Sequence, residues 1–298
     1  MKSNRPFQIL IIVLILITVA FAAVFFLIEK KKSKVEKPAE VIAAGWLQFK
    51  MGEYKQAIKL FQKVLDGVPE NSDEQIQALY GLGCTNWLKL PGGDKEKAAE
   101  LFNEVIKRAP GSDYDAWSML ALVRMLHMVP ADQTPDYPKV RDEYQKVYEK
   151  FPDKIAGHEA FIYMIGAYLA AFTKEDAVIA KKKLDEFLKA HPDSPFVSSA
   201  WGLCSRACET LGDKQGQLDA KLKELEKREI DPANPFMDNA NAYWSIAVVA
   251  EFEVGDFETA RKYYKLMMKE YPMERRNFGA MRALERMDAL EAKLKAEN

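Results

Sequence analysis

A four-point pattern recurs five times along this chain and leaves few folds open to it. The residues Ala57, Phe61, Val64 and Pro69 share their spacing with Ala98, Phe102, Val105 and Pro110, and with Val140, Tyr144, Val147 and Pro152. The spacing returns as Ala180, Leu184, Phe187 and Pro192, and again as Ala260, Tyr264, Met267 and Pro272. A small or β-branched residue, a large apolar one four later and another apolar residue three after that form one stripe of an α-helix. A Pro five residues further on cannot continue that helix. Each copy therefore predicts a helix with a built-in stop. Ahead of these copies lies a second amphipathic helix with its own small residue, Gly45, Gly83, Ala121 or Gly166, where backbones must approach closely. Helix pairs repeated in this way predict stacked hairpins, each burying the apolar flank of its neighbour. The composition agrees: Ala, Leu, Lys and Glu are abundant, and β-branched runs are almost confined to the first thirty or so residues. The expected fold class is all-α.

The residues around this pattern resemble the tetratricopeptide repeat family, whose signature pairs Leu-Gly in a first helix with Ala, an aromatic and a terminal Pro in the second. Leu82-Gly83 and Ile165-Gly166 match the first part. The turns Gly52-Glu53-Tyr54, Gly212-Asp213-Lys214 and Gly255-Asp256-Phe257 resemble the family's link between helices. The resemblance implies an α-solenoid of tetratricopeptide-like hairpins over residues 38–272, about six in number, closed by a C-terminal capping helix over 273–298. Loops are expected at Pro91-Gly92-Gly93 and from Pro130 to Pro135. The fifth hairpin, near Trp201, is degenerate: its second helix reads through Leu218, Leu222 and Leu225, with Pro232 arriving late. In the last helix Phe278, Met281, Leu284, Met287, Leu290 and Leu294 mark the face expected to dock.

Ahead of the repeats, a tail at 1–6 precedes residues 7–28, which are apolar except for Gln8 and Thr18. That run meets the length needed to cross a bilayer as a helix and predicts a single-pass membrane protein, followed by a basic juxtamembrane linker at 29–37. A cleavable signal peptide is the competing reading, since Ala20-Phe21-Ala22 offers small residues, but the apolar run exceeds the usual h-region. Lys30, Lys31, Lys32, Lys34 and Lys37 outweigh Lys2 and Arg5, which by the positive-inside rule leans the body to the cytoplasmic side. Short basic tails that lead a domain outward keep the other orientation open.

Charge and chemistry narrow the function. Up to Lys37 there are seven basic residues against Glu29 and Glu36, so a whole-chain charge of −1 leaves the body at −6. A mildly acidic body lacks the basic stripe that nucleic acid requires. Cys84, Cys204 and Cys208 are too few for a disulfide framework. Cys204 and Cys208 offer two metal ligands without further partners, and read more simply as small apolar residues of one helical face. Gly81-Leu82-Gly83 lacks the third Gly and preceding strand of a nucleotide loop and falls where the repeat places a packing Gly. His127, His158 and His191 are widely separated, and no phosphate loop, zinc-protease helix or nucleophile elbow is present. No enzyme activity, cofactor, metal or small-molecule substrate is expected.

In the family that the chain resembles, partners commonly lie along a concave surface lined by the first helix of each hairpin. By position, that lining comprises Trp46, Phe49, Tyr80, Trp87, Leu122, Met125, Tyr163 and Phe252. It is apolar and aromatic, and the positions of a carboxylate clamp hold Ile42, Trp46, Tyr80, Cys84, Ser118 and Leu122 instead. The resemblance thus implies a membrane-tethered scaffold that grips a protein or peptide partner by an apolar segment. Aromatics at such positions also pack against neighbouring repeats, and that reading stands beside the first. The alternatives are a chaperone-like accessory of a secretion or envelope-biogenesis machinery and an enzyme with a dispersed site.

Overall fold

The computed structural model describes residues 37–89, 92–231, 233–234 and 237–297. Among the described residues there are thirteen α-helices and no strand, so the expectation of an all-α helical repeat holds. They divide into two compact units after Arg108. The expected transmembrane helix at 7–28 lies outside the described residues. Among the described residues no helix is long and apolar enough to cross a membrane. The longest, the 21-residue Asn277–Glu297, is broken up by charges from Arg282 onward. The expectation of a single-pass membrane protein is corrected on that finding.

Unit 1 holds α1 (Pro38–Lys50), α2 (Tyr54–Gly67), α3 (Asp73–Leu88) and α4 (Lys95–Arg108). Successive helices pack on one another. All six pattern residues lie in the interior, from Ala57, Phe61 and Val64 on α2 to Ala98, Phe102 and Val105 on α4. Both helices end two residues short of Pro69 and Pro110. The glycines of the first helices are there to admit rings. A Cβ on Gly45 would come within 2.8 Å of Phe61, one on Gly81 within 2.6 Å of the same ring, and one on Gly83 within 2.6 Å of Phe102. At α3 the hydroxyl of Ser72 caps the helix by accepting the Gln75 N–H. The buried Gln75 amide oxygen accepts the Asn71 N–H at 2.7 Å and the Arg108 guanidinium at 2.8 Å, tying the end of α4 to the start of α3.

Unit 2 holds α5 (Asp113–His127), α6 (Tyr137–Lys150), α7 (Ile155–Tyr168), α8 (Lys174–Ala190), α9 (Val197–Leu211), α10 (Lys214–Glu226), α11 (Ala240–Val248), α12 (Phe257–Glu270) and α13 (Asn277–Glu297). The pattern residues of α6, α8 and α12 expose 1% or less. Each of these helices also ends two residues before its Pro. Polar ties again join the start of a first helix to the chain that follows. The fully buried Asp115 accepts the Gly111 N–H at 2.7 Å and the Lys150 ammonium at 2.9 Å. The His158 ring bonds the Pro152 carbonyl at 2.8 Å and the Ser194 hydroxyl at 3.0 Å. Arg141 of α6 donates to the Ala167 carbonyl and to both oxygens of Asp176, joining α6 to the end of α7 and the start of α8.

The structure departs from expectation in three places within unit 2. Gly166 has open space where a Cβ would sit, so it is not a packing glycine. The fifth hairpin, α9–α10, read from sequence as degenerate and so not one of the three, buries Leu218 and sets the Glu224 carboxylate beside Gly202, where α2 and α4 use a ring. The α11 helix runs on as a π-helical turn, Val249–Val254, which sequence periodicity did not announce. The seam of α13 is made by Ala280 and Ala283 with two of the expected residues, the buried Met287 and the partly buried Leu284, while Phe278, Met281, Leu290 and Leu294 stay exposed. Small residues win that seam because α13 approaches closely: a Cβ on Gly279 would lie 3.1 Å from the Trp244 ring.

The links between hairpin helices share one backbone device. Gly52, Gly212 and Gly255 take φ of 78–79° immediately before the N-cap residue, a conformation that costs glycine little. At the same place in the α7–α8 link stands Phe172, with φ 54° and a side chain 72% exposed.

Candidate protein-binding surface

In unit 1 three of the four expected surface residues come together. The Trp46 ring meets Phe49 at 5.5 Å, the buried Phe61 at 5.2 Å and Tyr80 at 6.0 Å between centroids. Tyr80 in turn leans on the buried Phe102 at 5.8 Å, and Phe49 on Tyr54 at 5.7 Å. These rings are half-buried. Trp87 is also half-buried, near the end of α3. Leu47 and Met51, 56% and 66% exposed on and just after α1, lie on the side turned away from Ile42 and stand apart from these rings.

In unit 2 the expected residues do not form one cluster. Leu122 and Met125 are half-buried on α5. Tyr163 of α7 stacks on the buried Tyr144 at 5.6 Å, with the Arg124 guanidinium 5.4 Å above its ring and Glu159 3.7 Å from Arg124. Burial is the main cause that raises the Tyr163 phenol above its ordinary pKa. Tyr144 is raised further for the same reason, and its hydroxyl bonds His127, whose own pKa burial lowers. Phe252 stands apart on the π-helical turn, 63% exposed, with the Arg286 guanidinium 5.0 Å over its ring. Its neighbour Glu251 is turned inward. The Glu251 carboxylate accepts the Tyr264 hydroxyl at 3.0 Å and the Arg286 Nε at 2.9 Å, so α11, α12 and α13 meet on one buried carboxylate.

The groups that carry chemistry elsewhere are committed to packing. Cys204 and Cys208 are buried, and burial pushes the Cys204 thiol up to about 12, which keeps it protonated and inert. Cys208 is raised in the same way. Among the described residues no group of three or more His, Cys, Asp or Glu is placed to hold a metal ion. The rings of His158 and His191, far apart in sequence, lie 4.4 Å apart and tilted by 51°, a juxtaposition that spacing gave no means to foresee.

The geometry defines a class first: helical hairpins stacked through paired small and aromatic positions, with partly exposed rings on the first helices. The comparisons narrow it. A family model described as "Tetratricopeptide repeat" matches residues 42–113. That match supports the tetratricopeptide reading for the first hairpins. A search of curated proteins finds no match. Among solved structures the chain is similar to the C-terminal part of a TPR repeat-containing protein from Cytophaga hutchinsonii, with TM-score 0.54 and 14% identity over 88% of this chain and 92% of that one. It is also similar to PilW, a widely conserved type IV pilus biogenesis factor, with TM-score 0.52 and 15% identity over 80% and 96% of the two chains. A third likeness is to Pseudomonas aeruginosa pilF, with TM-score 0.52 and 15% identity over 82% and 97%. At such identities these likenesses speak for the fold.

Proposed function

We propose that the chain is a protein-interaction scaffold, without catalytic activity, that holds a partner protein or peptide on the aromatic surfaces of its first helices. The observation that carries this reading is the Trp46–Phe49–Tyr80 cluster, whose rings are braced from behind by Phe61 and Phe102. Rigid, partly exposed rings offer large contact area at small entropic cost, which is how interface anchors are built. In unit 2, Tyr163 held between Tyr144 and Arg124 offers a second anchor of the same kind. The chain's acidic body is consistent with a protein partner and does not suit nucleic acid.

The test is in-cell crosslinking of the full chain followed by identification of the crosslinked proteins, with Trp46→Ala and Tyr163→Ala variants alongside. Both rings are half-buried, so far-UV circular dichroism of each variant checks that it is folded. A defined partner that is lost in the variants supports the scaffold. Unchanged partners in folded variants remove these surfaces from consideration, and indiscriminate capture of unfolded chains would favour a chaperone-like accessory instead.

A further inference from the structure

Two links of unit 2 meet at a histidine. One link, residues 151–154, joins α6 to α7, and the other, residues 191–196, joins α8 to α9. His158 lies in the first turn of α7, buried, and both of its ring nitrogens are committed. The Pro152 carbonyl can only accept, so Nε2 carries the proton in their 2.8 Å bond. Nδ1 is then the bare nitrogen of a neutral ring, and it accepts from the Ser194 hydroxyl at 3.0 Å. Ser194 Oγ also accepts the Phe196 N–H at 3.2 Å, so one hydroxyl ties His158 to the turn that starts α9. The neutral imidazole thus clasps one link to the other.

A second imidazole stands beside it. The His191 ring, just past the end of α8, lies 4.4 Å from that of His158 and engages the Tyr148 hydroxyl through Nε2 at 3.1 Å. The buried Phe187 meets both rings, at 5.3 and 5.1 Å. The titratable groups facing His158 are therefore His191, with Tyr148 of α6 behind it, and Asp153 on the α6–α7 link. Burial holds His158 below the ordinary imidazole value of 6.5, and His191 lowers it further, against the opposing pull of the Pro152 carbonyl and Asp153. A histidine depressed in this way is neutral in the folded chain at pH 7, and the stability of its surroundings is lost as the pH falls below 6.5. A proton on Nδ1 turns that acceptor into a donor, leaves the Ser194 hydroxyl without its acceptor and sets a charge against His191. We infer that the His158–His191 pair is an acid-sensitive latch, whose protonation releases the α8–α9 link from the α6–α7 link and opens the helix stack of unit 2 at that point. The latch shares no residue with the first-helix surfaces, so it stands or falls separately from them.

The experiment is hydrogen exchange of the full chain, read on the Phe196 and Ala200 amides and corrected for the intrinsic rate at each pH. Opening at pH 5 is expected to be about fivefold more frequent than at pH 7.5, the factor that two unit charges at the separation of these rings give even with the dielectric of water. The amides of α12, which carries no histidine, serve as the reference and should not change. His191→Phe keeps a ring against Phe187 and removes the second charge, and His158→Gln can still donate to Pro152 without titrating. Each should shrink the ratio towards that of α12, and if circular dichroism shows His158→Gln unfolded, His191→Phe decides alone. A wild-type ratio equal to that of α12, or a ratio unchanged in either folded variant, would overturn the inference.

Discussion

The tie between Asp115 and Lys150 gives the sharpest quantitative test of how unit 2 is held together. Asp115 is wholly buried, and its carboxylate is served by the Gly111 N–H at 2.7 Å and by Lys150 at 2.9 and 3.2 Å. Lys150→Met removes the cation and leaves the carboxylate in the interior with one backbone donor. Breaking a fully buried pair in this way costs about 3–5 kcal/mol. Here the lysine side chain is 43% exposed, so water partly reaches the site, and a loss of about 2–3 kcal/mol is expected. Asp115→Asn combined with Lys150→Met should cost less than Lys150→Met alone, about 1–2 kcal/mol, because a neutral amide still accepts the Gly111 N–H with no charge left unpaired. The assay is urea unfolding by far-UV circular dichroism. Hydrogen exchange of the α6 amides would assign the change to unit 2. A Lys150→Met loss below about 0.5 kcal/mol, or a double variant worse than the single one, would refute the reasoning.

Further expectations concern other contacts. Gly83→Ala should cost about 1–3 kcal/mol by driving a methyl into Phe102, and adding Phe102→Leu should recover part of that loss in the same unfolding assay. Glu251→Ala should speed hydrogen exchange across α13 and lower stability by about 2–3 kcal/mol, since the buried Tyr264 hydroxyl loses its acceptor and Arg286 its anchor; unchanged α13 protection would count against the tie. With a thiol pKa of about 12, Cys204 should resist iodoacetamide in the folded chain at pH 8 and react only in denaturant. Because the shift is upward, raising the pH to 9 should not unmask it, and rapid native labelling would show that the site is open.

What the sequence made legible is what periodicity and proline control. The stripes at Ala57-Phe61-Val64 and at its four repeats are all buried, because a residue on the inner face of a helix pair has one environment regardless of detail. Each stop follows from a ring that cannot donate a hydrogen bond. The surface was less legible. Trp46, Phe49 and Tyr80 converge, but Phe252 sits exposed on a π-helical turn, and one extra backbone residue per turn leaves no mark in a hydrophobic pattern. The α13 seam was legible in part: Met287 and Leu284 dock, but bulk marks a stripe in sequence, whereas Ala280 and Ala283 join the seam because the Trp244 ring lies against Gly279. Contacts such as His158 on His191 depend on how successive hairpins register, which single-helix spacing does not encode.

Phe172 carries a consequence for handling the molecule. Three equivalent links are made of glycine and polar residues, but this one displays an aromatic ring at 72% exposure on a backbone already bent out of helical geometry. A chymotrypsin-type protease requires an accessible aromatic in a segment that can be drawn into its cleft, and few other positions meet both conditions. Limited digestion should therefore nick unit 2 between α7 and α8 early, and Phe172→Gly should move the first cut elsewhere.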